Sequence, residues 1–314
     1  MKDKEEEKYI NPLTDFGFKK LFGTEPNKDL LIDFLNEILP NRKIKDLSYS
    51  NNEHFGKYKI DRKAVFDIYC IGKNDERFIV EMQKAKQNWF KDRSVFYASF
   101  PIQEQAKRGN WDYRLEPVYS IGILDFEFNE HKQDKDLLHI IELKNQKCEV
   151  FYDKLKFIYL ELPKFNKKQS ELETRFDKWM YVFTHLQKLQ DRPKALQERV
   201  FKKLFKVAEI AGFTEEERKE YEESLKTYRD IKNVVDTARA EGKIEGKIEG
   251  KIEGKMEGRI EGKMEGKIEE KEEVIERCLE ENMSPETISK IVNLPISEVK
   301  KIIEKIEKRK EGEK

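Results

Sequence analysis

Several residue types that build common sites are scarce in this sequence. Its 314 residues include three cysteines and four histidines, and neither type has the spacing of zinc ligands. No apolar run approaches the roughly 20 residues that cross a bilayer, and the charged N-terminus (MKDKEEEKYI) is unlike a signal peptide. We therefore expect no zinc site, no membrane partner and a location in the reducing cytoplasm.

The sequence also lacks net charge. Lysine and arginine together number 63, and so do aspartate and glutamate, although 40% of the residues are charged. A globally basic surface is therefore excluded, and any binding of nucleic acid must come from local patches. The length is compatible with one to three domains.

Two strand-like segments carry the most information. They are residues 64–72 (AVFDIYCIG) and 77–83 (RFIVEMQ), and the short polar turn 73–76 joins them. Each segment has one carboxylate among apolar residues, Asp67 in the first and Glu81 in the second. A charge in such surroundings needs compensation, which a partner charge or a metal ion usually provides.

The two carboxylates meet if the segments form a hairpin about their polar turn. Asp67 then faces Glu81 with Cβ atoms roughly 4.5–5.5 Å apart, and Gln83 points to the same face. Two carboxylates this close require a cation or a proton, and oxygen ligands suit Mg²⁺ or Mn²⁺. A buried ion pair with Lys63 or Arg77 is the alternative, and a slip of one residue would separate the carboxylates. The predicted register pairs Ile71 with Arg77, Tyr69 with Ile79 and Asp67 with Glu81.

The remainder of residues 9–165 alternates between helix and strand signals. Residues 27–39 and 89–108 are predicted helices, and the second should bend near Pro101 and stop at Gly109. Further strands are predicted at residues 44–51, 117–126, 137–143, 149–151 and 156–162, of which 117–126 reads as a central strand. This order predicts an α/β layer fold with a mixed sheet.

Residues 170–240 are predicted to be helical, with Trp179, Phe183 and Leu186 on one apolar stripe. Residues 242–269 then repeat a four-residue unit, GKIE with variants, seven times. Each glycine costs a helix roughly 1 kcal/mol relative to alanine, and like charges fall at i,i+4. An extended helix that becomes firm in a homo-oligomer is our expectation, and a disordered linker is the alternative.

The last residues suggest a helix-turn-helix. Ser284 and Pro285 predict the start of a short helix at residues 286–292, and Ser297 predicts the cap of a final helix. Lys300, Lys301 and Lys305 on this final helix are candidate DNA-binding residues. A helical hairpin that packs or dimerises is the alternative.

Several of these segments together resemble a known family. They are Thr14-Asp15-Phe16, residues 18–23 (FKKLFG), Asp67, residues 81–83 (EMQ) and residues 161–165 (ELPKF). With them the chain resembles the PD-(D/E)XK nuclease superfamily, and within it the recombination-promoting nuclease/putative transposase family. The resemblance implies a restriction-endonuclease-like core with a central mixed sheet flanked by helices, followed by an all-helical C-terminal region.

The resemblance also implies an organisation and a chemistry. Residues 9–165 would form the nuclease-like domain, 166–240 a helical extension, 241–270 the repeat and 271–314 a small helical module. The implied activity is metal-dependent hydrolysis of phosphodiester bonds in DNA, linked to recombination or mobile elements, without an organic cofactor.

The family's functional positions match particular residues of this sequence. Asp67 and Glu81 would hold Mg²⁺ or Mn²⁺ together with the backbone carbonyl of Met82, and Gln83 stands where the superfamily has lysine. A neutral amide can orient the attacking water but cannot stabilise developing charge as lysine does. Asp15, Arg93 and Tyr97 would be accessory residues.

Two other functions compete with an active nuclease. One is a catalytically inactive nuclease-fold module that binds DNA or protein and oligomerises through its repeat, which Gln83 favours. The other is an assembly protein whose core is only a scaffold. The intact pair of Asp67 and Glu81 favours the enzyme, because a scaffold has little reason to keep both carboxylates in apolar strands.

Overall fold

The computed structural model describes residues 7–39, 43–50, 53–54, 64–106, 109–131 and 133–312. The chain divides into two compact units, and the boundary falls between Asp236 and Thr237. Within the described ranges, no helix is both long enough and apolar enough to cross a membrane.

A six-stranded mixed sheet forms the centre of the first unit. Its strands are β1 (Leu47–Tyr49), β4 (Ile68–Gly72), β5 (Arg77–Gln83), β6 (Val118–Leu124), β7 (Leu138–Lys144) and β8 (Val150–Glu161). They lie in the order β1-β4-β5-β6-β8-β7, with β5, β6 and β8 parallel and the other neighbours antiparallel. All seven residues of β6 are buried, which confirms the predicted central strand.

Helices cover both faces of this sheet. One face packs against α1 (Asp15–Phe22), α2 (Lys28–Ile38), α4 (Arg175–His185) and α5 (Arg199–Ala208), and the other packs against α3 (Phe90–Glu104). The predicted apolar stripe of Trp179, Phe183 and Leu186 is buried in the first of these layers.

The alternation of β5 decides which way its polar residues point. Phe78, Val80 and Met82 belong to the core under the four helices, whereas Ile79 packs with residues of α3. Side chains alternate along a strand, so Glu81 and Gln83 share the α3 face with Ile79.

The predicted strand 64–72 is broken at Phe66 and Asp67. Its first two residues form β3 (Ala64–Val65), which pairs with β2 (Glu53–His54) in a separate small sheet, and β4 begins only at Ile68. At the break the Asp67 side chain accepts a hydrogen bond from the Met82 N–H of β5. This bond takes the place of ordinary strand pairing.

Other predicted boundaries also change. Residues 149–151 and 156–162 form the single strand β8, because register shifts after Glu142 and after Leu143 let β7 follow it along most of its length. The first predicted strand shortens to β1. Helix α3 ends at Glu104, before the predicted stop at Gly109. Residue 51, the last of the first predicted strand, and residues 107 and 108, the last of the predicted helix, lie outside the described ranges.

Helix α6 (Glu215–Glu280) carries the repeat. Residues 242–269 are helical throughout, in agreement with the extended helix that we expected. The apolar residues of the repeat are between 53% and 61% exposed, and they are Ile244, Ile248, Ile252, Met256, Ile260, Met264 and Ile268. Among the described residues of the second unit, nothing buries this stripe.

The second unit ends in a small helical core. Helices α7 (Pro285–Val292) and α8 (Ile296–Gly312) pack on the end of α6 through Ile275, Ile288 and Val299, among others. Ser284 caps α7 by accepting from the Thr287 N–H, as predicted. Ser297 is not a cap, because α8 already begins at Ile296, and the carbonyl of Pro295 accepts the first helical hydrogen bonds.

The mixed sheet, its flanking helices and the long helical C-terminal region confirm the predicted fold class. The arrangement is that of a restriction-endonuclease-like core.

Candidate functional site

The two predicted carboxylates meet where β4 and β5 part. Ile71 pairs with Arg77 and Tyr69 with Ile79, as predicted, and the ladder ends at Ile68 and Val80. Asp67 and Glu81 follow as the next residues of the two segments, and a side-chain hydrogen bond joins them in place of a ladder pair. Glu81 Oε1 accepts a hydrogen bond from the Asp67 N–H at 3.2 Å. Asp67 Oδ2 accepts from the Met82 N–H at 2.7 Å. The carboxylates are therefore fixed against each other by the backbone of the two strands.

Burial makes this pair of carboxylates electrostatically costly. Burial, and then the charge of Asp67, raise the pKa of Glu81 to about 8. Burial also raises the pKa of Asp67, although the hydrogen bond from Met82 opposes that change. Both shifts favour the protonated carboxyl groups, as expected for two acids buried side by side.

One of the two alternative partners, Arg77, does not contact these carboxylates. Arg77 lies at the other end of the hairpin, where its guanidinium donates to the Asp75 carbonyl. Lys63 lies outside the described ranges. The carboxylate pair is therefore not an ion pair with Arg77.

Gln83 is held by Arg93. Arg93 Nη2 donates to Gln83 Oε1 at 2.6 Å, and Gln83 Nε2 donates to the Ala85 carbonyl at 3.2 Å. The guanidinium also bonds Gln87 and lies 5.5 Å from the ring centre of Phe90. An amide has two acceptor and two donor positions, so Gln83 keeps one of each beyond these two bonds.

Tyr97 stands one turn after Arg93 on α3. Burial, and then the charge of Glu81, raise the pKa of its hydroxyl. Glu81, Arg93 and Tyr97 line a cavity of about 10 Å³ against β6, which is close to the smallest space that holds a water molecule. The structure thus brings both predicted α3 residues to the carboxylates.

A larger cleft opens on the other side of Asp67. It has a volume of about 670 Å³, and α1, the first turns of α6 and the end of β5 line it. Asp15 lies on this cleft, and the Lys19 ammonium approaches it to 2.9 Å. The charge of Asp15 contributes to the raised pKa of Asp67, which places the predicted accessory carboxylate near the pair.

The sequence motif around Asp15 explains how α1 reaches this position. Thr14 caps the helix by accepting from the Gly17 N–H at 3.0 Å, and its hydroxyl donates to the Asn11 carbonyl. A Cβ atom at Gly17 would lie 2.2 Å from that carbonyl oxygen, so only glycine fits this turn.

Sequence reasoning missed Lys84. It directly follows Gln83, lines the large cleft beside Asp67, and its Nζ lies 6.0 Å from the ring centre of Tyr228 on α6. Burial lowers its pKa, and the charges of Asp15 and Asp67 oppose that change. Its place next to the EMQ motif was the available signal.

Two histidines without metal-ligand spacing in the sequence come together in the structure. His131 and His139 stack with ring centres 4.1 Å apart, and both approach the buried carboxylate of Glu161. Glu161 belongs to the ELPKF segment, but sequence spacing gave no indication of its two histidine neighbours.

The three predicted DNA-binding lysines belong to the second unit. Lys300 and Lys301 are exposed on α8, whereas the Lys305 ammonium lies 2.6 Å from Glu272 Oε1. Lys305 is therefore partly neutralised.

Comparison with known proteins gave one family. A family model described as PD-(D/E)XK nuclease family transposase matches residues 12–238. The match reaches beyond the expected limit of residue 165, through α4 and α5 and into α6. No curated protein and no solved structure matched the chain.

Proposed function

Because this chain belongs to the PD-(D/E)XK nuclease family transposases, we propose that it is a metal-dependent DNA endonuclease that acts in recombination or in the movement of mobile elements. The observation that carries this proposal is the pair of Asp67 and Glu81, held opposite each other beside an open cleft.

The donors around the pair suit a divalent cation. Asp67 and Glu81 offer carboxylate oxygens, and a cation would offset the burial that raises the pKa of both groups. The Met82 N–H points toward Asp67, and the N–H and C=O of one strand residue point to the same neighbouring strand. The Met82 carbonyl is thus a fitting third ligand. An all-oxygen set favours Mg²⁺ or Mn²⁺.

The protein's own residues would position the substrate and the attacking water. A divalent ion supplies a bound water of lowered pKa and neutralises charge on the scissile phosphate. Gln83, held by Arg93, would orient the water with its remaining acceptor position. Lys84 would contact a phosphate in the cleft, and Asp15 and Tyr97 would support the carboxylates and the water from opposite sides.

DNA is the proposed partner, with a second contact on the C-terminal helices through Lys300, Lys301 and Lys305. We also propose homo-oligomers that form through the exposed stripe of the repeat, which would raise avidity for DNA. Sedimentation of the chain with and without residues 242–269 tests this, and an unchanged mass contradicts it.

The three free cysteines, two of them buried, support a reducing cytoplasm.

The division of the chain stays as the sequence suggested. We propose a nuclease-like domain at residues 9–165, a helical extension at 166–240, the repeat at 241–270 and a small helical module at 271–314. The family match to residue 238 supports a joint role for the first two parts.

Plasmid cleavage tests the function. Supercoiled plasmid is incubated with wild type, Asp67→Asn and Glu81→Gln in Mg²⁺, Mn²⁺, Ca²⁺ or EDTA, and the exposed Asp153→Asn serves as matched control. Nicking that needs Mg²⁺ or Mn²⁺, is lost in both site variants and persists in the control is the expected result. Retardation of DNA without cleavage under every condition would instead identify a DNA-binding module.

A further inference from the structure

Three side chains that can bind a transition metal converge at the end of β8. Glu161 is the last residue of β8, His139 lies on the neighbouring β7, and His131 ends the short helical turn Asn129–His131. Their ligand atoms all lie within 4.8 Å of one another. In the sheet register Glu161 pairs with Leu124, which pairs with Gln83. The cluster is therefore roughly 10 Å from the proposed nuclease residues, two strands away.

The separations of these donors fit one small ion. His131 Nδ1 is 2.7 Å from Glu161 Oε1, and His139 Nε2 is 3.7 Å from the same oxygen. A tetrahedral ion with bonds of about 2.0–2.2 Å needs donors roughly 3.3–3.6 Å apart. The two separations bracket that range, and the ligand nitrogens of the two histidines lie within 4.8 Å of each other.

His139 has the surroundings of a ligand. Its Nε2 is buried and has no hydrogen-bond partner among the described residues. Its other ring nitrogen lies 3.9 Å from Asp134 Oδ2. Ligating histidines commonly direct their second nitrogen to a carboxylate, which fixes the ring and its tautomer. A buried nitrogen without a partner is costly, and an ion would satisfy it.

Glu161 is oriented for the same role. Lys164 Nζ lies 2.9 Å from Oε2, on a side chain that is only 6% exposed. Oε1 is directed at the two histidines. The ion pair with Lys164 orients the carboxylate, and the near oxygen, which also accepts from the Phe128 N–H at 3.4 Å, keeps a position for coordination.

A cluster held by hydrogen bonds alone explains less of this geometry than a bound ion does. In such a cluster Glu161 Oε1 would accept from the His131 ring and the Phe128 N–H, and Lys164 would form an ion pair with Oε2. That arrangement leaves His139 Nε2 without a partner, and gives no reason for the two imidazoles to share one oxygen.

We propose that His131, His139 and Glu161 bind one divalent ion of the zinc type. Two imidazole nitrogens with one carboxylate suit Zn²⁺ and its transition-metal neighbours, and disfavour Mg²⁺ and Ca²⁺. The fourth position would be open to water. The ion would tie the connection between β6 and β7 to the end of β8. This assignment does not depend on nuclease activity.

Metal titration of the full chain tests the assignment. All proteins carry Asp67→Asn, Glu81→Gln and Cys148→Ser, which remove the proposed nuclease site and the exposed thiol, and none carries a histidine tag. After treatment with a chelator, Zn²⁺ is followed by calorimetry and Co²⁺ by its visible absorption. We expect one site per chain, with Zn²⁺ raising the melting temperature.

The variants His131→Gln and His139→Gln should each weaken Zn²⁺ binding by at least the roughly 10–100-fold that loss of an outer-shell partner causes. His185→Gln is the matched control, because its ring stacks on Tyr181 of α4, away from Glu161. If His139→Gln does not fold in chelator, His131→Gln carries the test, since that side chain is 25% exposed. Equal binding in the variants and the control, or no binding by the parent protein, would overturn the proposal.

Discussion

Asp67 and Glu81 bind the backbone of each other's strand segment: Glu81 accepts from the Asp67 N–H, and Asp67 accepts from the Met82 N–H. These side-chain bonds stand where strand pairing would otherwise continue toward residues 64–65. The residues proposed to hold the metal therefore also set the end of the β4–β5 hairpin. A change in their charge should be visible in stability as well as in activity.

The first prediction concerns pH in the absence of metal. The pKa of Glu81 is raised to about 8 from 4.5. The unfolded chain therefore loses this proton before the folded chain does, so folding stability should fall as pH rises from about 5 to 8. We expect urea unfolding midpoints in EDTA to decline over this range in wild type.

Glu81→Gln is the control for this pH dependence, because it keeps the shape but cannot ionise. Its unfolding midpoint should decline less than that of wild type, and Mg²⁺ should flatten the wild-type curve. An identical decline in both proteins would show that Glu81 is not its source.

The second prediction concerns the bond between Arg93 and Gln83. Arg93→Ala should leave the amide of Gln83 less firmly oriented, and Gln83→Ala removes that amide. Either change should lower plasmid nicking by roughly 10–100-fold, within the range of a positioned catalytic group. Because both residues would act through one orientation, Arg93→Ala with Gln83→Ala should cost little more than either alone. Single-turnover rates of the four proteins measure this, and fully additive losses would contradict a shared role.

The third prediction concerns Lys84. Its ammonium lines the cleft beside Asp67, so Lys84→Ala should weaken DNA binding and reduce the dependence of log affinity on log salt by about one ion. Lys84→Arg should restore much of the affinity. Fluorescence anisotropy in Ca²⁺ at several salt concentrations measures both effects. Lys147→Ala, at an exposed turn position between β7 and β8, is the control. A salt slope in Lys84→Ala equal to that of wild type would contradict a contact between Lys84 and a phosphate.

The fourth prediction concerns Gly17. A methyl group there would meet the Asn11 carbonyl oxygen at 2.2 Å, whereas nothing lies within 4 Å of a Cβ at Gly212. We expect Gly17→Ala to lower the free energy of unfolding by about 1–3 kcal/mol, and Gly212→Ala to change it far less. Urea denaturation compares them. Because α1 carries Asp15, nicking by Gly17→Ala should also fall at temperatures where the protein remains folded.

Local patterns were sufficient for the hairpin and the central strand. A two-residue alternation and a polar turn fix which residues of 64–72 and 77–83 face each other, and a continuous apolar run such as 118–124 has to lie at the centre of a sheet. The same rules place Asp67 opposite Glu81 without any structure.

Long-range contacts were beyond sequence reasoning. The break at Asp67 depends on its hydrogen bond to Met82, fifteen residues away, and the length of β8 depends on a bulge in its partner strand. His131 and His139 meet only because β7 pairs with β8 and a helical turn folds back on it. The spacing of the two histidines along the chain therefore does not reveal that their side chains come together.

Contacts between the N-terminal segment and α6 limit which parts of this chain can be exchanged between related genes. The Asn11 N–H donates to Tyr221 at 2.9 Å, and the Phe16 N–H donates to Ser224 at 3.1 Å. A gene fusion that exchanged only residues 9–165 would strand both donors, at a cost of about 1–3 kcal/mol for each one left buried. The segment that has to be exchanged as a whole therefore includes the first turns of α6. The glycine repeat beyond it can gain or lose copies without changing a contact of the core in the first unit.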